Sequence, residues 1–146
     1  IFFFKNMEVP SCEIVDYNSK IENYTGKLTQ GTSGSIAYDV YSEYNYNIQL
    51  GERKIISTGL FINFKEGYGG LLKSRSSMAV AGIDVCGGVI DTDYKGEIKV
   101  ILHNYGTSIC HIKKDDRVAQ LIIIKNYAGK LTDKIRGDGG FGSTGK

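Results

Sequence analysis

A chain of 146 residues with 18 basic and 16 acidic side chains carries a net charge of +2, too balanced for a protein that coats nucleic acid. The length suits one domain, with a hydrophobic core that needs no metal or disulfide. Cys12, Cys86 and Cys110 lack C-x-x-C spacing, which favours free thiols in a reducing compartment. His103 and His111 are too far apart to resemble a helical metal pair.

The N-terminal stretch IFFFK is apolar for only four residues, too few for a membrane-spanning helix or a signal peptide. Residues 1–8 are predicted to be a leader or a disordered start. We therefore expect an intracellular protein, cytoplasmic or nuclear. The abundance of Ile, Asn, Lys and Tyr is typical of an AT-rich genome and would suit a viral protein in its host cell.

Short apolar runs recur along the chain between Gly, Asn and Asp, and they predict β-strands. In chain order the runs are CEIVDY (12–17), IAYDVYS (36–42), YNIQL (46–50), KIISTGLFINF (54–64), GGLLK (69–73), IDVCGGVID (83–91), EIKVILHN (97–104), SICHI (108–112) and RVAQLIIIKNY (117–127). The segment SSMAVAG (76–82) predicts one or two helical turns, and Val9–Gly34 is assigned one strand and a loop. The expected fold is an all-β jelly roll, a barrel or sandwich with at most one short helix.

The stretch GGVIDTDYKGEI crowds three acids, Asp91, Asp93 and Glu97, around Tyr94. One interpretation is an ordinary solvated turn, because D-x-D clusters are frequent in loops. The alternative is that one carboxylate points inward as a general base, while the two preceding glycines let a ligand approach the backbone. The sequence leaves both interpretations open.

Three other stretches carry polar groups that a plain β core does not need. Arg75, Ser76 and Ser77 in SRSSMA suit phosphate oxygens through the planar guanidinium, the hydroxyls and free amides. The alternative is a surface arginine beside a helix N-cap. Gln120 interrupts the apolar strand of DDRVAQLI and needs a hydrogen-bond partner, and Asp39 lies between apolar residues in IAYDVYS.

The C-terminal stretch RGDGGFGSTGK contains five glycines and fits the spacing of two phosphate-binding patterns. It lacks the following helix that both patterns require. It does offer bare backbone amides, two hydroxyls, one arginine and one aromatic ring, which together favour a nucleotide clamp. Residues 136–146 are therefore predicted to be a mobile lid on a β domain of residues 1–135, ordered by the ligand.

Five of these stretches resemble, in order, the five motifs of the homotrimeric dUTP pyrophosphatase (dUTPase) family: IAYDVYS, SRSSMA, GGVIDTDYKGE, DDRVAQLI and RGDGGFGSTG. They span Ile36 to Gly145, and the third and fifth match almost residue for residue. The resemblance implies a magnesium-dependent hydrolase that converts dUTP to dUMP and pyrophosphate, lowering dUTP and supplying dUMP for thymidylate synthesis. It also implies a homotrimer with exchanged C-terminal tails.

The resemblance implies a role for each matching residue. Asp91 would activate the water that attacks the α-phosphate, and Tyr94 would lie under the deoxyribose and exclude a 2′-hydroxyl. Backbone groups that read the uracil edge would come from Gly88, Val89 and Ile90, and from the chain near Lys99. Phosphate contacts are implied for Arg75, Ser76, Ser77, Gln120, Arg136, Ser143 and Thr144. Phe141 would stack on the uracil, and Gly142 would also bind the substrate. Asp39 would support the site or hold magnesium through water, with the ion bound mainly by the triphosphate.

Four residues, Ala37, Ser74, Lys95 and Asp115, depart from the family pattern, and Asp115 is expected to adopt a left-handed turn conformation.

Three other functions are alternatives to dUTP hydrolysis. A dCTP deaminase shares the fold and an RSS segment but resembles the third motif poorly. The others are a catalytically silent dUTPase-like regulatory module and a single-strand nucleic-acid binder, for which the charge is too close to neutral. The expected partners are dUTP and further copies of the chain, with neither stable nucleic-acid binding nor membrane association.

Overall fold

Strands are the dominant secondary structure in a computed structural model that describes residues 20–129 and 131–141. The strands are β1 (Ile21–Thr25), β2 (Leu28–Thr29), β3 (Tyr38–Tyr41), β4 (Tyr46–Ile48), β5 (Arg53–Phe64), β6 (Tyr68–Lys73), β7 (Ile83–Cys86), β8 (Val89–Ile90), β9 (Ile98–Asn104), β10 (Cys110–Ile112) and β11 (Arg117–Lys125). One short helix, α1 (Ser76–Val80), follows β6. The predicted all-β, jelly-roll-like fold with at most one short helix is confirmed.

Two sheets carry the fold, and the paired strands are antiparallel. One sheet has the order β1-β5-β9-β7 and the other the order β2-β3-β11-β6-β8, while β4 and β10 form a separate pair. The core lies where the apolar faces of the sheets meet. On β9 it takes alternate residues, Ile98, Val100 and Leu102, and β11 contributes Val118 and Leu121. Fully burying one such side chain typically contributes about 1.5–3 kcal/mol.

The apolar run IDVCGGVID was predicted as one strand, and this prediction is wrong. Its first half, β7, pairs with β9, whereas its second half, β8, pairs with β6 in the other sheet. The chain changes sheets at Gly87 and Gly88, whose φ angles of +66° and +109° favour glycine. A Cβ on Gly88 would lie 2.8 Å from the carbonyl oxygen of Leu72, so the crossing also requires a residue without a side chain.

Most other strand predictions are confirmed with shorter ends, and one region was missed. Between Lys20 and Gly34 the structure has two strands, β1 and β2, where one strand and a loop were expected for Val9–Gly34. The predicted strand CEIVDY lies outside the described residues. The helix is confirmed, as is the left-handed backbone of Asp115, whose φ is 70°. Cys86 and Cys110 are free thiols. Among the helices of the described part, none is long and apolar enough to cross a membrane.

Candidate active site

The turn of residues 91–97, which follows β8, is tied to the sheets at several points. The amide of Tyr94 donates to the carbonyl of Asp91 over 3.1 Å, closing the turn. The hydroxyl of Thr92 donates to the carbonyl of Tyr68 over 2.5 Å, and the hydroxyl of Tyr94 donates to the carbonyl of Glu97 over 2.6 Å. These bonds fix the backbone on which the predicted base and the predicted sugar-contacting ring both stand.

Each of the three acids of this turn has a partner, two of them on Arg136 and one on β5, which relieves the repulsion expected from the sequence. Asp91 Oδ2 pairs with the guanidinium of Arg136. Asp93 Oδ2 accepts the backbone N–H of the same arginine over 2.9 Å. Glu97 Oε2 faces the opposite way and accepts two backbone N–H groups of β5. The expectation of an inward base needs correction, because the Asp91 side chain is 52% exposed and faces the arginine.

Tyr94 is buried, with 8% of its surface exposed. This burial raises the pKa of the Tyr94 phenol; the cation of Arg136, 5.5 Å from the ring centre, opposes the shift, while Glu97 and Asp138 add to it. The phenol is therefore neutral at physiological pH and serves as a hydrogen-bond donor and an apolar surface. A Cβ on Gly140 would lie 3.3 Å from this ring, so the tail packs against it closely.

Strand β8 is an edge strand, which leaves one side of its backbone available. On its inner side Val89 pairs with Leu71 and Ile90 pairs with Gly70, while the carbonyl of Gly88 accepts the amide of Leu72 over 2.8 Å. In the sheet order of the described residues no strand lies beyond β8. An edge strand presents unpaired N–H and C=O groups, the arrangement needed to pair with a planar base.

The C-terminal segment 136–141 lies over this turn in the same chain. Gly137 forms a parallel bridge with Tyr94, and its carbonyl accepts the amide of Lys95 over 2.6 Å. The side chain of Arg136 also donates from Nε to the carbonyl of Gly139 over 2.5 Å. The ring of Phe141 lies 5.6 Å from Lys99 Nζ. A cavity of about 90 Å³ is enclosed between turn, β8 and tail, lined by Val89, Ile90, Tyr94, Glu97, Lys99, Arg136, Gly140 and Phe141.

Gly142, Ser143 and Thr144 lie outside the described residues, so their predicted substrate contacts stay predictions. The exchange of tails between subunits also stays a prediction. Within the single chain, the described part of the tail already reaches the residues predicted to bind deoxyuridine.

A second group of predicted residues surrounds the start of α1. Arg75 is the N-cap residue of the helix, and no side chain caps it. Its guanidinium donates from Nη1 to the carbonyl of Arg117 over 3.2 Å, and no carboxylate partner is recorded for it among the described residues. Gln120 Nε2 donates to the carbonyl of Ser74 over 2.8 Å, which provides the partner that the sequence required. We call Asp39, Lys73, Arg75, Arg117 and Gln120 the basic cluster.

Asp39 belongs to this cluster through its position on β3. It lies opposite Gln120 of β11 in the sheet register, and its Oδ2 is 3.8 Å from Arg117 Nη1. Its side chain is 20% exposed and lines a cavity of about 570 Å³ together with Lys73, Ser74 and Gln120. The described residues hold no group of three or more His, Cys, Asp or Glu side chains that could coordinate a metal. A single carboxylate beside two cations suits water-mediated contact with magnesium better than direct coordination.

Ser76 and Ser77 begin the helix and are exposed. Ser77 and Arg75 line a cavity of about 430 Å³ on the surface between α1 and β10. The chain thus brings the predicted residues together in two groups, one at the 91–97 turn and one at the basic cluster. Asp91 lines neither the cavity that contains Arg75 nor the one that contains Asp39 and Gln120.

Two polar residues of these groups, Lys73 and Arg117, were not predicted from the sequence, and two others, Asp93 and Glu97, were named in the acidic stretch without an individual role. Each stands within or beside a stretch that was singled out, so proximity in sequence was the available signal. Their partners lie elsewhere in the chain, as with Arg117, which faces Asp39 of β3. No local pattern could have supplied those contacts.

Comparison with known proteins shows the family to which the chain is related. The sequence model of the dUTPase family matches residues 23–145. The deoxyuridine 5′-triphosphate nucleotidohydrolase of monkeypox virus is 40% identical, over 99% of this chain and 98% of its own. The structure of EIAV dUTPase superposes with a TM-score of 0.70 at 31% identity, covering 77% of this chain and 98% of that one.

At the level of the fold alone, the dUTPase of phage phi11 of S. aureus also superposes, with a TM-score of 0.68 at 19% identity. The match covers 77% of this chain and 96% of the phage protein, a mutant of which coordinates a structural Mg(II) ion. The family match extends over both groups of candidate residues, and the chain belongs to the dUTPase family.

Proposed function

We propose that this chain hydrolyses dUTP to dUMP and pyrophosphate, with Asp91 as the base that activates water for attack on the α-phosphate. The observation that carries the proposal is the arrangement at the 91–97 turn. The carboxylate of Asp91 and the ring of Tyr94 stand on one bonded turn beside the free edge of β8, under Arg136 and Phe141.

The backbone of β8 selects the uracil, and the ring of Tyr94 selects the sugar. The free edge of β8 offers donors and acceptors to the uracil edge, and a cytosine would leave buried groups unpaired, which can reject it by up to about 10⁴-fold. Tyr94 cannot turn away, since its hydroxyl is bonded to Glu97, and its ring excludes a 2′-hydroxyl. Phe141 lines the same cavity and supplies an aromatic face for stacking.

Asp91 acts as a base only after it loses its partner. The Arg136 guanidinium pairs with this carboxylate and offsets its negative charge. A triphosphate carries about four negative charges and competes for that guanidinium, so substrate binding frees the carboxylate to take a proton from water. A positioned general base typically contributes about 10²- to 10⁴-fold in rate.

The remaining phosphate contacts come from the basic cluster. Arg75 offers a planar fork to phosphate oxygens, and its backbone is held in place by the bond between Gln120 and Ser74. Magnesium, when bound, offsets negative charge on the phosphates. The residues present fit an ion carried by the substrate, because Asp39 is the one carboxylate among the described residues that line its cavity with Lys73 and Gln120, and it would reach the ion through water.

The complete site is proposed to form between copies of the chain in a homotrimer with exchanged tails. The supporting observation is that one chain holds its candidate residues in two groups with separate cavities. Residues 136–146 are the lid on the β domain, since the described part already covers the turn. We also place the protein inside the cell, in the cytoplasm or nucleus, where its nucleotide substrate is found.

The test is pyrophosphate release from dUTP, the four common deoxynucleoside triphosphates and UTP, with and without magnesium. We expect rapid release from dUTP alone and a strong dependence on magnesium. Ammonia release from dCTP would instead identify a deaminase, and no release from any nucleotide would identify a silent binding module. The mass in solution, from light scattering, should equal three chains.

A further inference from the structure

Glu97 links β5 to the 91–97 turn through hydrogen bonds of both its side chain and its main chain. Its side-chain Oε2 accepts the N–H groups of Thr58 and Gly59, each over 3.0 Å. Its main-chain carbonyl accepts the hydroxyl of Tyr94 over 2.6 Å. One residue therefore joins β5 to the aromatic ring that faces the sugar.

The acceptor is needed because β5 is irregular at this point. Its register against β9 shifts between Ser57, which pairs with Lys99, and Leu60, which pairs with Ile98. Thr58 and Gly59 therefore have no register partner on β9, and the hydroxyl of Thr58, not its backbone, donates to the carbonyl of Ile98. Such bulges leave backbone groups outside the ladder, and the buried ones require another partner. The Glu97 carboxylate provides it at a site where Thr58 is 6% exposed.

Two backbone contacts fix the side chain of Tyr94: the carbonyl of Glu97 accepts its hydroxyl, and the backbone of Gly96 packs against it. A Cβ placed on Gly96 would lie 2.5 Å from Tyr94 Oη, so the hydroxyl already touches the backbone between the two residues. The position of the Tyr94 ring is thus set by residues 95–97, the segment that Glu97 anchors to β5.

We infer that Glu97 is a positioning residue for sugar selection: by holding the bulge of β5, it keeps Tyr94 where the ring excludes a ribose 2′-hydroxyl. The inference rests on the proposed role of Tyr94. Without the carboxylate, the amides of Thr58 and Gly59 lose their acceptor, and water or a backbone shift must replace it. The 91–97 turn then loosens, and the ring no longer discriminates between the sugars.

The experiment measures the ratio of kcat/KM for dUTP to that for UTP in purified full-length variants. Glu97→Ala is expected to lower this ratio at least about tenfold, toward the ratio of Tyr94→Ala. Glu97→Gln should stay within about twofold of the wild type, because the amide oxygen can still accept both N–H groups. Rescue by glutamine separates the hydrogen bond from the negative charge.

Glu52→Ala is the matched control. That carboxylate also accepts one backbone N–H, from Gln49 over 2.8 Å, but it lies just before β5 begins at Arg53, away from the bulge between Ser57 and Leu60. It should leave the ratio unchanged even where the melting temperature falls. A change as large as that of Glu97→Ala would show general loosening of the sheet and overturn the inference.

Two further outcomes decide the matter. If Tyr94→Ala lowers the ratio and folded Glu97→Ala does not, the inference fails while the proposed function stands. If Tyr94→Ala leaves the ratio unchanged, sugar selection lies elsewhere and both fail. Should Glu97→Ala not fold, Tyr94→Phe tests the same link, since it removes only the hydroxyl that bonds to Glu97. An unchanged ratio in Tyr94→Phe then overturns the inference.

Discussion

Arg136 and Arg75 both stand in segments predicted to bind phosphate, but their guanidinium groups have different partners. Arg136 is engaged by a carboxylate, Asp91, and its own backbone N–H is held by Asp93. Arg75 donates to a main-chain carbonyl, that of Arg117, and its backbone is held through Ser74 by Gln120. One cation is neutralised until substrate arrives, while the other keeps its charge available.

In the proposed function this difference corresponds to two stages of substrate binding. Because the ion pair with Asp91 must be broken before Arg136 can bind phosphate, this arginine would couple tail movement to release of the proposed base. Arg75 needs no such exchange, so it would contribute to initial binding. Four variants test this comparison.

Removal of the tail after Ile135 should have the largest effect. We expect hydrolysis to fall by at least about 10³-fold, because Arg136 and Phe141 are lost together. The fold should survive, since every buried hydrophobic residue that the structure describes lies between Ile21 and Ile123. Pyrophosphate release and a thermal melt followed by circular dichroism measure the two effects. An unfolded product would mean that the tail is a structural element instead of a lid.

Asp91→Asn comes next. Turnover should fall about 10²- to 10⁴-fold with dUTP binding retained, because the amide cannot accept a proton from water. Asp93→Asn is the matched control two residues away, where an amide oxygen can still accept the Arg136 N–H. Single-turnover kinetics and calorimetry with a non-hydrolysable analogue separate chemistry from binding. Turnover near that of the wild type in Asp91→Asn would remove this residue from its role.

Arg75→Ala should weaken binding more than chemistry. Loss of a charge-assisted hydrogen bond corresponds to about a 10- to 100-fold increase in KM for dUTP. Because Arg136 and not Arg75 is paired with the base, kcat should change less. The exposed Arg53, at the start of β5, provides a control cation whose replacement by alanine should leave KM unchanged. An equal increase in KM for both substitutions would show that Arg75 contributes only through the overall charge of the surface.

Gln120→Ala should have the smallest effect of the four. It removes the bond to the Ser74 carbonyl and so loosens the backbone that presents Arg75, which we expect to raise KM about two- to tenfold. The double variant with Arg75→Ala should be no weaker in binding than Arg75→Ala alone. Additive losses would instead indicate that Gln120 contacts the phosphates itself.

The sequence predicted the fold class and most strands because alternation on β5 and β9 is strong and turn residues separate the runs. Strand β1 was missed because IENYT buries only Ile21 fully and depends on pairing with the long β5. The apolar run around Gly87 was read as one strand, since local pattern does not reveal a change of sheet.

The candidate residues were predicted largely through motif resemblance, and the structure adds their partners. Asp91 and Arg136 are 45 positions apart, so no spacing in the sequence could indicate that they pair. The same holds for Glu97, whose amide partners on β5 are 38 and 39 positions away. Contacts of this kind depend on tertiary folding, whereas chemistry within one short stretch can be read directly.

The Asp91–Arg136 pair also affects how the nucleotide first approaches. A cleft with an unmatched carboxylate would repel a polyanion and slow its diffusional capture. Arg136 offsets the negative charge of Asp91, while the positive charge of Arg75 still attracts the triphosphate. The association rate constant should therefore fall in Arg136→Ala, and the deficit should shrink as added salt shortens the range of the field.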